Sequence, residues 1–141
     1  MKTTYKVLAY IIAAQVAIQA AAIAFAISGL FNWIDKDGGV IDKAILESEP
    51  DFTGVLGFIV HGINGMVLIP LVALILLIIS FFAKIPCGTK WAGWVLFTVV
   101  AQVALGMFGS ASPLLGALHG LNALLLFSLA VMAGKRVGKV T

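Results

Sequence analysis

The sequence predicts an all-α integral membrane protein, a four-helix bundle made of two helical hairpins repeated in the same orientation. Three observations predict it. Of the 141 residues, 62% are hydrophobic and only 11% charged, with a mean hydropathy of +1.13; a water-exposed domain carries about a quarter charged residues. Four apolar stretches without Asp, Glu, Lys or Arg approach or exceed the roughly 20 residues a helix needs to cross the hydrocarbon core. Short polar motifs recur on alternate stretches. The same composition excludes disorder. A single cysteine, Cys87, excludes an internal disulfide, and no Cys/His cluster has zinc spacing. The net charge of +3 is scattered at membrane edges, which makes a poor phosphate-binding face and argues against nucleic acid.

The chain reads as one transmembrane domain, 1–141, with spans at about Val7–Phe31, Phe52–Ala83, Trp91–Phe108 and Leu114–Ala133. Helices are the spanning form because the alternating pattern of barrel strands is absent. The first stretch follows Lys2 and Lys6 as a signal peptide would, but its apolar run continues to Phe31, longer than a signal core, so it is read as a retained span. Asn32–Asp51 is a polar loop with Gly38-Gly39 and Pro50, Lys84–Lys90 is a short loop with Pro86 and Gly88, and Gly109–Pro113 is a tight hairpin. The second span is long for a perpendicular crossing, and Pro70 marks where a kink would absorb the excess.

Charge placement orients the spans. Lys2, Lys6, Lys84, Lys90, Lys135, Arg136 and Lys139 fall at the two termini and the second loop. The first loop holds Lys36 and Lys43 against Asp35, Asp37, Asp42, Glu47, Glu49 and Asp51. The positive-inside rule therefore places both termini in the cytoplasm, in the cell membrane, with the acidic loop outside. Cys87 would then be a reduced cytoplasmic thiol, and Trp33, Trp91 and Trp94 are interfacial aromatics.

The second and fourth spans share a segment: His61-Gly62-Ile63-Asn64-Gly65 aligns with His119-Gly120-Leu121-Asn122-Ala123. The first and third echo each other as Ala14-Gln15-Val16-Ala17-Ile18 and Ala101-Gln102-Val103-Ala104-Leu105. His61 and His119 are the two histidines of the chain, at the same repeat position, where an ionisable group faces a bundle interior or cavity. Counted from Asp51 and Pro113 they lie roughly 15 and 9 Å below the outer boundary. Two opposed imidazoles in a four-helix core suit the axial ligation of one haem iron. Gly57, Gly62 and Gly65 around His61, and Gly116, Gly120 and Ala123 around His119, would let a flat macrocycle approach the backbone. Asn64 and Asn122 would orient a ligand or satisfy nearby polar groups.

The blander alternative is helix packing, in which small residues seat neighbouring helices and His and Asn bridge them with no cofactor. Zinc is disfavoured, since two ligands are too few, and a proton relay lacks an intramembrane acid. Gln15, Gln19 and Gln102 are read as interhelical hydrogen-bonding groups, with a substrate or quinone contact as the minority reading. Met66, Met132 and the phenylalanines are read as packing or lipid-facing, and Ser110 and Ser112 as loop.

Gln102-Val103-Ala104-Leu105-Gly106, the hairpin to Pro113, and Leu115-Gly116-Ala117-Leu118-His119-Gly120-Leu121 resemble one four-helix half of haem A synthase, a family with compact half-sized relatives. The specific match lies in residues 101–127. The chain also resembles small four-helix membrane proteins of unknown function that carry the same two histidines. The resemblance implies that His61 and His119 are the axial pair of a b-type haem near the outer face. It departs where the synthase's catalytic half carries a Glu and an Arg, here Phe58 and Gly62, so it implies haem binding rather than haem oxidation and no catalytic residue. The expected role is electron transfer or haem handling linked to the respiratory chain, with Lys36 or Lys43 as candidate partners of the haem propionates. The rival is a cofactor-free accessory subunit of a larger respiratory complex. A small transporter is disfavoured by the lack of an intramembrane Arg or carboxylate. The apolar surface of four spans also suits a homodimer resembling the two-half synthase.

Overall fold

The computed structural model describes residues 1–42, 44–45, 48 and 51–139; Lys43, Glu47, Glu49 and Pro50 of the acidic loop lie outside them. Four helical spans are present, and no strand occurs among the described residues. Helix α1 covers Lys2–Asp37. The second span is compound: α2 (Val55–Ile63), one π-helical turn (Asn64–Leu68) and α3 (Ile69–Ser80). Helix α4 covers Gly88–Met107 and α5 covers Pro113–Lys135.

Local chemistry sets the ends. Gly38 stops α1 in the left-handed region (φ 69°) and gives its N–H to the Trp33 carbonyl, a conformation glycine adopts without a Cβ penalty. Pro113 opens α5 where its missing N–H costs nothing, and the Ser112 side chain accepts from the Leu114 N–H. In the second span the Ile69 N–H reaches back five residues to the Asn64 carbonyl. This widened turn immediately precedes Pro70, which has no N–H and whose ring crowds the preceding turn. The sequence places a kink here, and the chain relieves it with an inserted π turn. Such turns are frequent at functional sites.

The helices form a square. Helix α5 packs against α1 and α4, and α3 closes the ring between α1 and α4. Helices α1 and α4 are therefore diagonal partners, as are the second span and α5. The packed core is built from Tyr5, Ala9, Ile12, Ala13 and Val16 of α1, Ile69, Ala73 and Leu76 of α3, Ala92, Val95 and Val99 of α4, and Leu126, Ala130 and Ala133 of α5. Each set recurs every three or four residues, the spacing of interlocking helix ridges, and its alanines allow close approach.

That core occupies the half of the bundle nearer the basic ends. Toward the acidic loop the packing changes. Helix α2 lies mainly on α1, where Gly57 abuts Ala22 and Ala26 and where Gly29 meets the Thr53–Gly54 backbone so closely that neither accommodates a Cβ. Because α2 leans on α1, it leaves the bundle open toward α4. Trp33 stacks on Phe52 at 5.7 Å over the top of this pair.

Candidate functional site

The histidines stand at the layer where the packed core gives out. Each is the seventh residue of its helix, counted from Val55 and from Pro113. They therefore share one depth, about 9 Å below the helix start, as their shared repeat position predicts; the larger count from Asp51 includes residues 51–54, which precede the helix. Both are half-buried. Their ring centroids are 6.2 Å apart with the planes inclined by 58°, so the diagonal of the square brings the two repeat positions face to face.

The second diagonal supports the first. The Nδ1 of His61 lies 3.2 Å from the Gln19 carbonyl oxygen, and the Nδ1 of His119 lies 3.0 Å from the Gln102 carbonyl oxygen. A carbonyl only accepts, so Nδ1 carries the proton on both rings and Nε2 keeps its lone pair. Gln19 Nε2 also donates to the His61 carbonyl at 2.9 Å, tying the backbone of α2 to α1. On the other side Gln102 Nε2 donates to His119 Nε2 at 3.1 Å, and Asn122 Nδ2 donates to Gln102 Oε1 at 2.7 Å and to the Thr98 carbonyl at 2.9 Å. No hydrogen bond engages His61 Nε2 among the described residues.

These bonds revise the internal repeat. The sequence match pairs Gln15 with Gln102, but the residue that serves His61 as Gln102 serves His119 is Gln19, one turn along α1. Gln15 instead donates to Asn64 Oδ1 at 3.1 Å, while Asn64 Nδ2 stands 3.5 Å from the Gln15 carbonyl, as Asn122 does to that of Thr98. All three glutamines bridge helices, as read from the sequence. Asn64 and Asn122 point to neighbouring helices rather than into the site. The Oε1 atoms of Gln15 and Gln19 are buried with no partner. An unsatisfied acceptor costs about 1–3 kcal/mol, so this layer is polar beyond what packing needs.

A cavity of about 210 Å³ is lined by both rings and walled further by Gln19, Gly62, Gly65, Gln102 and Gly106 among others. Of the six small residues expected to line a macrocycle, Gly62, Gly65 and Ala123 line this cavity. Gly57 is spent on α1, Gly116 faces Gly109, and Gly120 looks into open space. The sequence reading passed over Gly106. A Cβ there would sit 3.0 Å from the His119 ring, so its lack of a side chain is what seats the imidazole. A glycine inside an apolar helix was the available signal. Met66, read as lipid-facing or packing, is exposed and also lines the cavity.

Lys36 does not reach this layer. It lies seventeen residues beyond Gln19 on α1, about 26 Å along the helix. Lys43, the other candidate for the propionates, lies outside the described residues. Cys87 is exposed and unpaired at the far end of the bundle.

No group of three or more His, Cys, Asp or Glu residues converges among the described residues, and the two imidazoles are the titratable groups that line the cavity. Comparison of the chain with protein-family models, with curated proteins and with solved structures finds no match.

Proposed function

We propose that this chain is a membrane b-type cytochrome-like protein that holds one haem between His61 and His119 and serves electron transfer or haem handling linked to respiration. The observation that carries the reading is the matched anchoring of the two rings. Each Nδ1–H is spent on a backbone carbonyl of the neighbouring helix, which leaves Nε2 as the ring nitrogen for a metal, without a partner at His61 among the described residues and held by Gln102 at His119. Metal-bound histidines characteristically hold their second nitrogen this way, which fixes tautomer and ring orientation. His61 and His119 would hold a haem through two neutral imidazoles, and the chemistry supplied there would be one-electron transfer rather than oxygen binding.

The chain's own residues define what occupancy requires. Gln102 must release His119 Nε2, turning its amide toward Asn122 or the cavity. The cavity is smaller than the roughly 300–1,000 Å³ of usual ligand sites, so α2 must give way on its open side toward α4, where little packing resists it. Gly62 of α2 and Gly65 of the π turn keep the wall of the second span low, and Gly106 does the same for α4. The site lies toward the acidic loop, which the positive-inside reading assigns to the outer face, and the resemblance to one half of haem A synthase supports the same ligand pair.

One observation favours a second reading, a cofactor-free accessory subunit of a larger membrane complex. With Gln102 on its Nε2 and a carbonyl on its Nδ1, His119 is already a fully hydrogen-bonded helix bridge. Haemin titration of the parent chain and of His61→Ala and His119→Ala separates the two. The cytochrome reading expects about one haem per parent chain with a low-spin spectrum, lost in either variant. Equal haem content in parent and variants would sink the ligand assignment.

A further inference from the structure

A second recess opens at the basic end of the molecule and runs inward to Thr98 and Asn122, sharing no lining residue with the histidine cavity. It is a groove of about 500 Å³ between α4 and α5, with Lys90 and Arg136 at its mouth and Trp94, Phe97, Leu125 and Leu129 along its walls. Arg136 lies over the Trp91 ring, 4.5 Å from its centroid. The ring takes one face of the guanidinium and leaves its N–H edge available. All six Asp and Glu side chains of the sequence fall between Asp35 and Asp51, and among the described residues none lines the groove beside these two cations.

The two walls of the groove bracket the depth of one leaflet. From Lys90 to Thr98 it runs about 12 Å along α4, and from Arg136 to Asn122 about 21 Å along α5, against about 15 Å for half the hydrocarbon core. Its inner end is polar but spent. Asn122 Nδ2 already donates to the Thr98 carbonyl and to Gln102 Oε1, and the Thr98 hydroxyl is turned back on the Trp94 and Val95 carbonyls. The inner end therefore has no free donor for a quinone carbonyl and suits the end of an acyl chain.

We propose that this groove is a binding site for one anionic phospholipid, its phosphate at Lys90 and Arg136 and an acyl chain along Trp94, Phe97, Leu125 and Leu129. Basic pockets between transmembrane helices recognise acidic headgroups in this manner. The site does not depend on the haem reading.

The test is native mass spectrometry of the detergent-solubilised full chain, titrated with phosphatidylglycerol or with phosphatidylcholine of the same chains. Phosphatidylglycerol is expected to be retained at one per chain and phosphatidylcholine to be lost. Arg136→Gln and Lys90→Gln should each weaken retention about fivefold, while Lys6→Gln, an exposed α1 residue outside the groove, should leave it unchanged. Leu129→Trp keeps both charges, fills the apolar wall and should also reduce retention. Equal retention of the two lipids, an equal loss in Lys6→Gln, or full retention in Leu129→Trp would each overturn the proposal. So would displacement of the lipid by millimolar inorganic phosphate, which would mark the mouth as a simple phosphate site.

Discussion

Replacing Gln102 with Leu separates the histidine pair's two roles, because it should push stability and haem affinity in opposite directions. The side chain makes two interhelical hydrogen bonds, to His119 Nε2 at 3.1 Å and from Asn122 at 2.7 Å. Such bonds in a membrane protein average about 0.6 kcal/mol and reach about 1.7, so their joint loss should destabilise the empty protein by about 1–2 kcal/mol. The anchor of His119 Nδ1 is the backbone carbonyl of residue 102, which the substitution leaves in place. Haem binding, however, no longer has to break the bond on Nε2. Affinity for haemin should therefore rise by about threefold to twentyfold, the equivalent of one such bond. Denaturant unfolding followed by circular dichroism measures the first effect, and absorbance titration with haemin the second. A variant that keeps its fold yet binds haemin no better, or more weakly, would refute the argument that Gln102 guards His119 Nε2.

Two further predictions concern the scaffold. Gly57→Val should cost about 1–3 kcal/mol by overpacking, since a Cβ there runs into Ala22 and Ala26 of α1, whereas Gly120→Val, with open space around it, should be near neutral; unfolding of both variants checks the contrast. Deleting Val67 should be tolerated, because removing one residue from the π turn leaves a regular helix with both flanks in register, while deleting Leu74 should unfold the span by rotating α3 about 100° against its neighbours. Thermal stability and circular dichroism of the two deletions decide it.

The bundle was legible in the sequence because hydropathy reports which segments leave water, and the histidines were legible as a pair because the repeated His-Gly-x-Asn segment placed them at equivalent positions. The rotation of each helix was not. These spans are apolar all round, so no polar stripe marks the inward face. The short match of Gln15 to Gln102 therefore pointed one turn away from Gln19, the residue that anchors His61. The glycines illustrate the same gap. Spacing groups Gly57 with Gly62 and Gly65, but Gly57 serves the α1 contact and only the other two line the cavity. Pro70 signalled a break without saying that it would take the form of an inserted turn. The groove at Lys90 and Arg136 brings together residues 46 positions apart, a juxtaposition that only the packing of α4 on α5 creates.

The most direct test of the central claim is a reduced-minus-oxidised visible spectrum of the purified protein, with a pyridine haemochrome assay on the same sample. The account predicts sharp low-spin bands and one b-type haem per chain. A colourless protein that stays colourless after reconstitution with haemin would contradict it and leave His61 and His119 as helix-bridging groups.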